Sequence, residues 1–301
     1  MKINIFTKAM LFLPRKIFIA GKTRQEALNV AVRLNVEGFL TTIDVLGEHS
    51  KNEDNVGKSL SEYKQLVDDI KKYGIQSTIS IKLTHLGMEL GFGYCFNVVK
   101  DLVSYASRNC VGVEFDMEEF KYNHDTIEIF QNLSKPEDKN RICLQANIKN
   151  SFENLDLLHG HGHSVRLVKG AYEEASDVSF YNQEDITENF KLLINLAFLG
   201  TIRNKLRSIM EPVHAIASRD KEIIDYARKC FESNHRILDK NCIEFQLLHG
   251  YLALGRQLLS EGFPVRIYLP YGEDSVALPY ILRRLKIPHA WRLLFDWLLQ
   301  L

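Results

Sequence analysis

Eight times along the chain a short apolar run rich in β-branched residues is followed by a stretch of helical periodicity. The runs cover 38–47, 77–83, 111–116, 142–147, 164–169, 213–217, 243–248 and 265–269. Helical patterns follow at 59–73, 94–108, 126–133, 152–159, 187–204, 221–232, up to 261, and through a last helix carrying Tyr280, Arg283 and Arg284. A leading helix opens on the capping box Thr23-Arg-Gln-Glu26, with Ala27, Val30, Ala31 and Leu34 at helical spacing. The stretch 51–57 reads as a polar loop. Strands apolar on both faces and separated by helices belong to a parallel sheet, and eight such units predict a closed (βα)8 barrel of the α/β class. An open doubly wound sheet is the alternative, but no GxGxxG opens a helix here.

Composition narrows the function. Lys plus Arg equal Asp plus Glu at 38 each, so bulk electrostatics give no reason to expect a nucleic-acid partner. The five cysteines (Cys95, Cys110, Cys143, Cys230, Cys242) are scattered, odd in number and without a CxxC pair, which predicts reduced thiols in a cytoplasmic protein. No apolar run reaches membrane-spanning length. The opening Met1 to Ala20 is expected to form a basic surface helix.

Polar residues fall at the carboxyl ends of the runs: Asp44, Lys82, Asp116, Gln145, Arg166 with Lys169, Ser218, Gln246 and Tyr268. In a barrel these ends share one face, so a ring of ionisable groups there predicts a site. After the last run, Pro270-Tyr271-Gly272 reads as a turn and Asp274 or Ser275 as a helix cap. Tyr280, Arg283 and Arg284 stand at i, i+3 and i+4, on one helical face. Neighbouring guanidinium groups suit a carboxylate guest, which their N–H forks match; a solvated basic face is the competing reading.

Several of these ends carry motifs: Ser80-Ile-Lys-Leu-Thr84, Glu114-Phe-Asp-Met-Glu-Glu119, Arg166-Leu-Val-Lys-Gly-Ala-Tyr172, Glu244-Phe-Gln-Leu-Leu248 and Tyr280-Ile-Leu-Arg-Arg284. Together with Ala31-Val-Arg-Leu-Asn-Val-Glu-Gly38 and Thr42-Ile-Asp-Val-Leu-Gly-Glu48, they resemble the proline dehydrogenases. The closer likeness is to the short, monofunctional bacterial type; the proline dehydrogenase domain of proline utilisation A is in the same family. The resemblance implies a distorted (βα)8 TIM-type barrel over 37–287 and an N-terminal helical extension over 1–36. The tail over 288–301 differs from the family; Trp291, Leu294, Phe295 and Leu298 at helical spacing make it amphipathic, a face expected to dock on its own barrel, with a membrane or partner contact as the alternative. It implies FAD as cofactor, oxidation of L-proline to Δ1-pyrroline-5-carboxylate, and a membrane quinone as electron acceptor. It also implies a separate pyrroline-5-carboxylate dehydrogenase, and a cytoplasmic protein peripheral on the inner face of the membrane.

Carried over by motif, Asp116 and Arg166 are the catalytic pair. Lys82, Arg283 and Arg284 hold the substrate carboxylate, while Tyr268, Tyr280 and Leu248 pack on its ring. Met117, Gln145, Lys169, Gly170, Ala171, Ser218, Arg219 and Gln246 contact FAD, and Tyr172 shields the site. No metal is implied. Three positions depart from the family pattern: Arg219 replaces a flavin-contacting histidine, Asn147 a tyrosine, and Ile287 a glutamate that steadies the arginines. Those departures leave room for a flavin-binding but catalytically altered relative, acting through its tail on a membrane or partner, or for a dehydrogenase of another cyclic imino acid. The tract His159-Gly-His-Gly-His163 precedes the fifth run, away from the site face, and is expected to be no metal site.

Overall fold

The computed structural model describes residues 14–207 and 213–285. Helix α1 (Arg24–Val36) leads into β1 (Leu40–Val45), α2 (Glu53–Lys72), β2 (Ser77–Ile81), α3 (Phe92–Arg108), β3 (Val113–Phe115), α4 (Asn123–Leu133) and β4 (Arg141–Gln145). The second half runs α5 (Ser151–Gly160), β5 (Ser164–Val168), α6 (Gln183–Leu206), β6 (His214–Ala217), α7 (Lys221–Asn234), β7 (Ile243–Leu248), α8 (Leu252–Ser260), β8 (Val265–Tyr271) and α9 (Asp274–Leu285). All eight strands pair in parallel and in sequence order, and β1 closes the circle by pairing with β8 as well as β2. The predicted (βα)8 barrel is the fold. Its helices lie outside the sheet, and the strand–helix interface is a continuous apolar core running from Ala27 to Tyr271.

Local chemistry explains where three expectations fail. Residues 53–57 are not a loop: Asn52 caps α2 by accepting from the Asn55 N–H at 2.9 Å, and Glu53 and Asp54 sit favourably in the first turn. Pro270 and Tyr271 are no turn either. They continue β8 opposite Asp44 and Val45 of β1, so Asp274 becomes the first residue of α9. The opening segment is not a basic surface helix where it is described. Ile17, Phe18 and Ile19 are buried in a second apolar cluster with Leu46 and the α9 residues Ala277, Leu278, Tyr280 and Ile281. Arg15 donates to the Gly272 carbonyl at 2.8 Å and pairs with Asp274 at 2.9 Å. The predicted box on α1 forms in part: the Glu26 N–H donates to Thr23 Oγ1 at 3.3 Å, but Glu26 Oε2 accepts from the Lys22 N–H at 2.5 Å, one residue before the cap. Ile287 and the tail 288–301 lie outside the described residues, as do residues 1–13.

Inside the barrel, below the carboxyl-terminal rim, the filling is charged. Glu114, Arg141, Glu244 and Arg266 are all buried. Arg266 grips both oxygens of Glu244, Nε to Oε1 at 2.7 Å and Nη2 to Oε2 at 2.9 Å, and Arg141 reaches Oε1 at 2.8 Å. Burial alone would raise the Glu244 carboxyl, but Arg141 and Arg266 outweigh it and hold it well below the usual carboxylate range.

Candidate active site

One level above that plug, the strand ends bring four side chains onto one carboxylate. Asp116, just past β3, receives Lys82 Nζ at 2.9 Å, Ser80 Oγ at 2.7 Å and Tyr268 Oη at 2.8 Å, and its other close partner is Arg166 Nη2. Burial pushes the Asp116 carboxyl up, yet Lys82 and then Arg166 pull it well below its ordinary value. It is therefore ionised at any working pH and unsuited to take up a proton. Arg166 is fixed from beneath as well, by Glu114 Oε2 at 2.6 Å. Lys82 is shared with Asp44 at 2.8 Å, and the two carboxylates keep its ammonium charged although it is buried. Tyr268 has one proton and spends it on Asp116, which leaves Asp44 Oδ2 buried and without a partner among the described residues.

Over this floor, α9 supplies the roof. The predicted convergence of its three residues holds in part. Arg284 lies over the Tyr280 ring, 4.3 Å from guanidinium carbon to centroid, and Tyr280 is buried. Arg283 turns instead to Glu48 on the loop after β1, with Nη2–Oε1 at 2.5 Å and Nη1–Oε2 at 3.1 Å, and its guanidinium carbon stands 5.7 Å from the Tyr172 centroid. Glu48, from near the opposite end of the chain, thus gives Arg283 a carboxylate partner although Ile287 replaces the family's glutamate. Gly47 permits this loop path, because a Cβ there would stand 2.3 Å from His85 Nε2. Leu248 and Tyr268 are register partners across β7 and β8, so an apolar and a phenolic side chain share that end of the barrel.

A flank of buried polar atoms lies beside this floor, along β4 and β5. Gln145 gives its Nε2 to the carbonyls of Met117 at 3.2 Å and Glu118 at 3.3 Å, while its Oε1 has no partner among the described residues; Asn147 Oδ1 has none either. Gly170 adopts φ +107° against Asn147, where a Cβ would meet Asn147 Oδ1 at 1.9 Å. Lys169 pairs with Asp220 at 2.6 Å, and Arg219 stacks on the Tyr251 ring at 5.1 Å, each near the end of β5 or β6. Two orphaned acceptors, a backbone with no room for a side chain and flanking cations fit a polar ring system that carries N–H donors and phosphates. Gln246 sits deeper: its Nε2 donates to Glu114 Oε1 at 2.9 Å and to Glu244 Oε1 at 3.0 Å, within the barrel plug.

The family model for proline dehydrogenase matches residues 27–286. The chain belongs to the proline dehydrogenase family. It is similar to proline dehydrogenase 1 of Bacillus subtilis subsp. natto, 29% identical over 269 residues, covering 89% of this chain and 84% of that one. The proline dehydrogenase of Deinococcus radiodurans is 28% identical over 279 residues, with the same coverage. Among solved structures, proline utilization A from Bdellovibrio bacteriovorus, inactivated by N-propargylglycine, superposes with a TM-score of 0.82 at 22% identity. The corresponding protein of Corynebacterium freiburgense gives 0.76 at 18%. Both likenesses cover 95% of this chain but only 33% of the other, and they speak for the barrel alone.

Four residues of this family member's site carried no sequence signal as such. Glu48 and Glu114 bind the two arginines just described. Glu118, buried one residue past Met117, accepts from the Thr84 N–H at 3.0 Å and from Thr84 Oγ1 at 2.5 Å, and burial pushes its carboxyl up to about 7 against those bonds. His85 lies beneath Lys82, lowered to about 4 by burial and then by the Lys82 charge. Each stands in or beside a quoted motif, but its partner is distant in sequence. The histidine tract splits up: His163 packs edge-on against Phe130 at 5.0 Å, while His159 stands 4.7 Å from His214 at the opposite end of the barrel.

Proposed function

We propose that the chain oxidises L-proline to Δ1-pyrroline-5-carboxylate, with FAD as the resident cofactor and a membrane quinone as final acceptor. The carrying observation is the pairing of an Asp116 floor, held by Lys82, Arg166, Ser80 and Tyr268, with the arginines of α9. Lys82, Arg283 and Arg284 bind the substrate carboxylate, and guanidinium forks fix its plane. Tyr268, Tyr280 and Leu248 bracket the ring. Tyr268 is locked to Asp116 by its hydroxyl and to Arg166 by its face, at 5.5 Å, so a 4-hydroxyl on the substrate meets an immobile phenol. That favours proline over hydroxyproline.

Gln145, Met117, Lys169, Gly170, Ala171, Ser218 and Arg219 hold FAD, and Gln246 supports them from the plug. When bound, FAD supplies the two-electron acceptor for the hydride that leaves the carbon beside the ring nitrogen. The nitrogen must first lose its extra proton. The cluster Lys82, Arg166 and Arg284 disfavours the ammonium form beside it, and so lowers the amine's proton affinity. Arg166, clamped by Glu114 and Asp116, presents a fixed positive charge where negative charge builds up. Tyr172 beneath Arg283 excludes water from the mouth. The product leaves as a cyclic imine acid for a separate dehydrogenase. The domain scheme is a barrel over 37–287 with an extension over 1–36. The protein works at the cytoplasmic side of the membrane, as a peripheral protein.

The test is the visible spectrum of purified protein before and after anaerobic L-proline. A flavin spectrum that bleaches with proline and persists with hydroxyproline is the expected result. A colourless protein that takes up no added FAD overturns the proposal.

A further inference from the structure

Among the described residues, only His49 and Cys110 hold a positive φ without being glycine, and His49, at φ 55°, directly follows Glu48, the anchor of Arg283. A left-handed backbone on a side-chain-bearing residue is costly and persists only where its surroundings impose it. Those surroundings are specific. The His49 N–H donates to Thr84 Oγ1 at 3.1 Å, and the same Thr84 is gripped by buried Glu118. The imidazole lies between two carboxylates from two further loops, with Nδ1 at 2.5 Å from Glu89 and Nε2 at 3.4 Å from Glu119. The other cation nearby is Lys121, whose charge is felt by the same Glu119 and Glu89.

We propose that His49 is a positioning residue for substrate closure: by tying the loops after β1, β2 and β3 together, it holds Glu48 against Arg283 and keeps the arginine roof shut. This rests on the reading that Arg283 closes over a bound carboxylate. Without the ring, the strained backbone at position 49 loses its ties to Glu89 and Glu119, and Glu48 is held less firmly against Arg283. The roof then opens more often, and ligand escapes faster.

The probe is tetrahydrofuran-2-carboxylate, the ring-oxygen analogue of proline, which keeps the carboxylate and has no titrating amine. Its dissociation rate and Kd are measured on the flavin-loaded protein by stopped flow and calorimetry. His49→Asn keeps a residue tolerant of the left-handed region but loses the double carboxylate contact. It releases the analogue about ten-fold faster, with unchanged flavin content and melting temperature. His49→Arg, able to reach both carboxylates, keeps release slow. Release rates alike in all three proteins overturn the proposal, as does a loss of flavin or melting temperature in His49→Asn that accounts for its faster release. Arg283→Ala separates this from the underlying reading. If it leaves analogue affinity untouched, the carboxylate assignment has failed; if it weakens affinity while the His49 variants do not, only the clamp has.

Discussion

Glu114 and Asp116 stand two residues apart at the end of the same strand and enter the same barrel one level apart. Around Glu114 every polar atom has its partner: Arg166, Gln246, Thr42 and Thr78 take its two oxygens, and Arg141 and Arg266 close on Glu244 beside it. Around Asp116 the bonds are as short, but the level is not closed. Asp44 Oδ2, Gln145 Oε1 and Asn147 Oδ1 remain buried and unsatisfied among the described residues. A buried polar group without a partner costs about 1–3 kcal/mol, so a fold that keeps several in one place leaves them for a ligand. The lower level is a plug; the upper level is half of a complex.

The sharpest way to break this contrast is to unpair the plug. Arg266→Met strips both Glu244 oxygens of their bidentate partner and leaves a buried carboxylate whose Oε1 keeps Arg141 and Gln246 while Oε2 loses its donor. A loss of about 3–5 kcal/mol in urea unfolding is expected, with the affinity of the folded fraction for proline little changed. The reverse applies one level up. Lys82→Met removes a cation from the carboxylate site and should raise KM for proline at least about 30-fold, the lower end of the ~2–5 kcal/mol typical of such truncations. Its cost to urea stability should be the smaller of the two. Equal stability losses in the two variants would mean that both levels are structural.

Much of this was legible before any coordinates. The eight strand–helix units, the helix cap at Thr23 and the ring of polar strand ends follow from local pattern, because each signal is complete within a dozen residues. The pairing of charges was not. Glu48 finds Arg283 from 235 positions away, and Gln246 finds Glu114 from 132, so nothing in the local sequence says which anion will serve which cation. Asn52 was missed because the polar run 51–57 looks like a loop until its cap is seen to start a helix. Gln246 was grouped with the rim because periodicity along a strand gives the face but not the depth.

The next test separates the levels by pH. Burial holds Glu118 at about 7 in the fold, above the ~4.3 of an unfolded glutamate, so its contribution favours the protonated form. That stability is fully present below about pH 4.3 and is lost as pH rises through 7. Glu118→Gln should remove that falling slope, so the variant gains on the wild type between pH 5 and 7.5 in chemical denaturation. At the far end of the barrel His159 runs the other way. Burial lowers it to about 4, and its contribution is complete above about pH 6.5 and lost as pH falls. A wild-type minus Glu118→Gln difference that does not change with pH would mean that burial does not hold the Glu118 carboxyl up.

The smallest effect is the most discriminating, because it makes the same chemical change at both levels. Glu244→Gln and Asp44→Asn each replace one carboxylate oxygen by an amide nitrogen. At Glu244 the new NH2 points at a guanidinium donor, whichever way the amide turns, and a buried cation loses half of its fork. Several kcal/mol are forfeited. At Asp44 the carbonyl keeps its bond to Lys82, and the NH2 takes the place of the orphaned Oδ2, beside a tyrosine oxygen whose own proton is already given to Asp116. Lys82 keeps Asp116 as counter-ion. Asp44→Asn should therefore change stability by less than about 1 kcal/mol. It also removes a negative charge from beside the carboxylate site, so tetrahydrofuran-2-carboxylate should bind a few-fold more tightly. If Asp44→Asn instead costs as much as Glu244→Gln and weakens the analogue, Asp44 belongs to the plug, and the boundary between structural and ligand-facing charge lies one level higher.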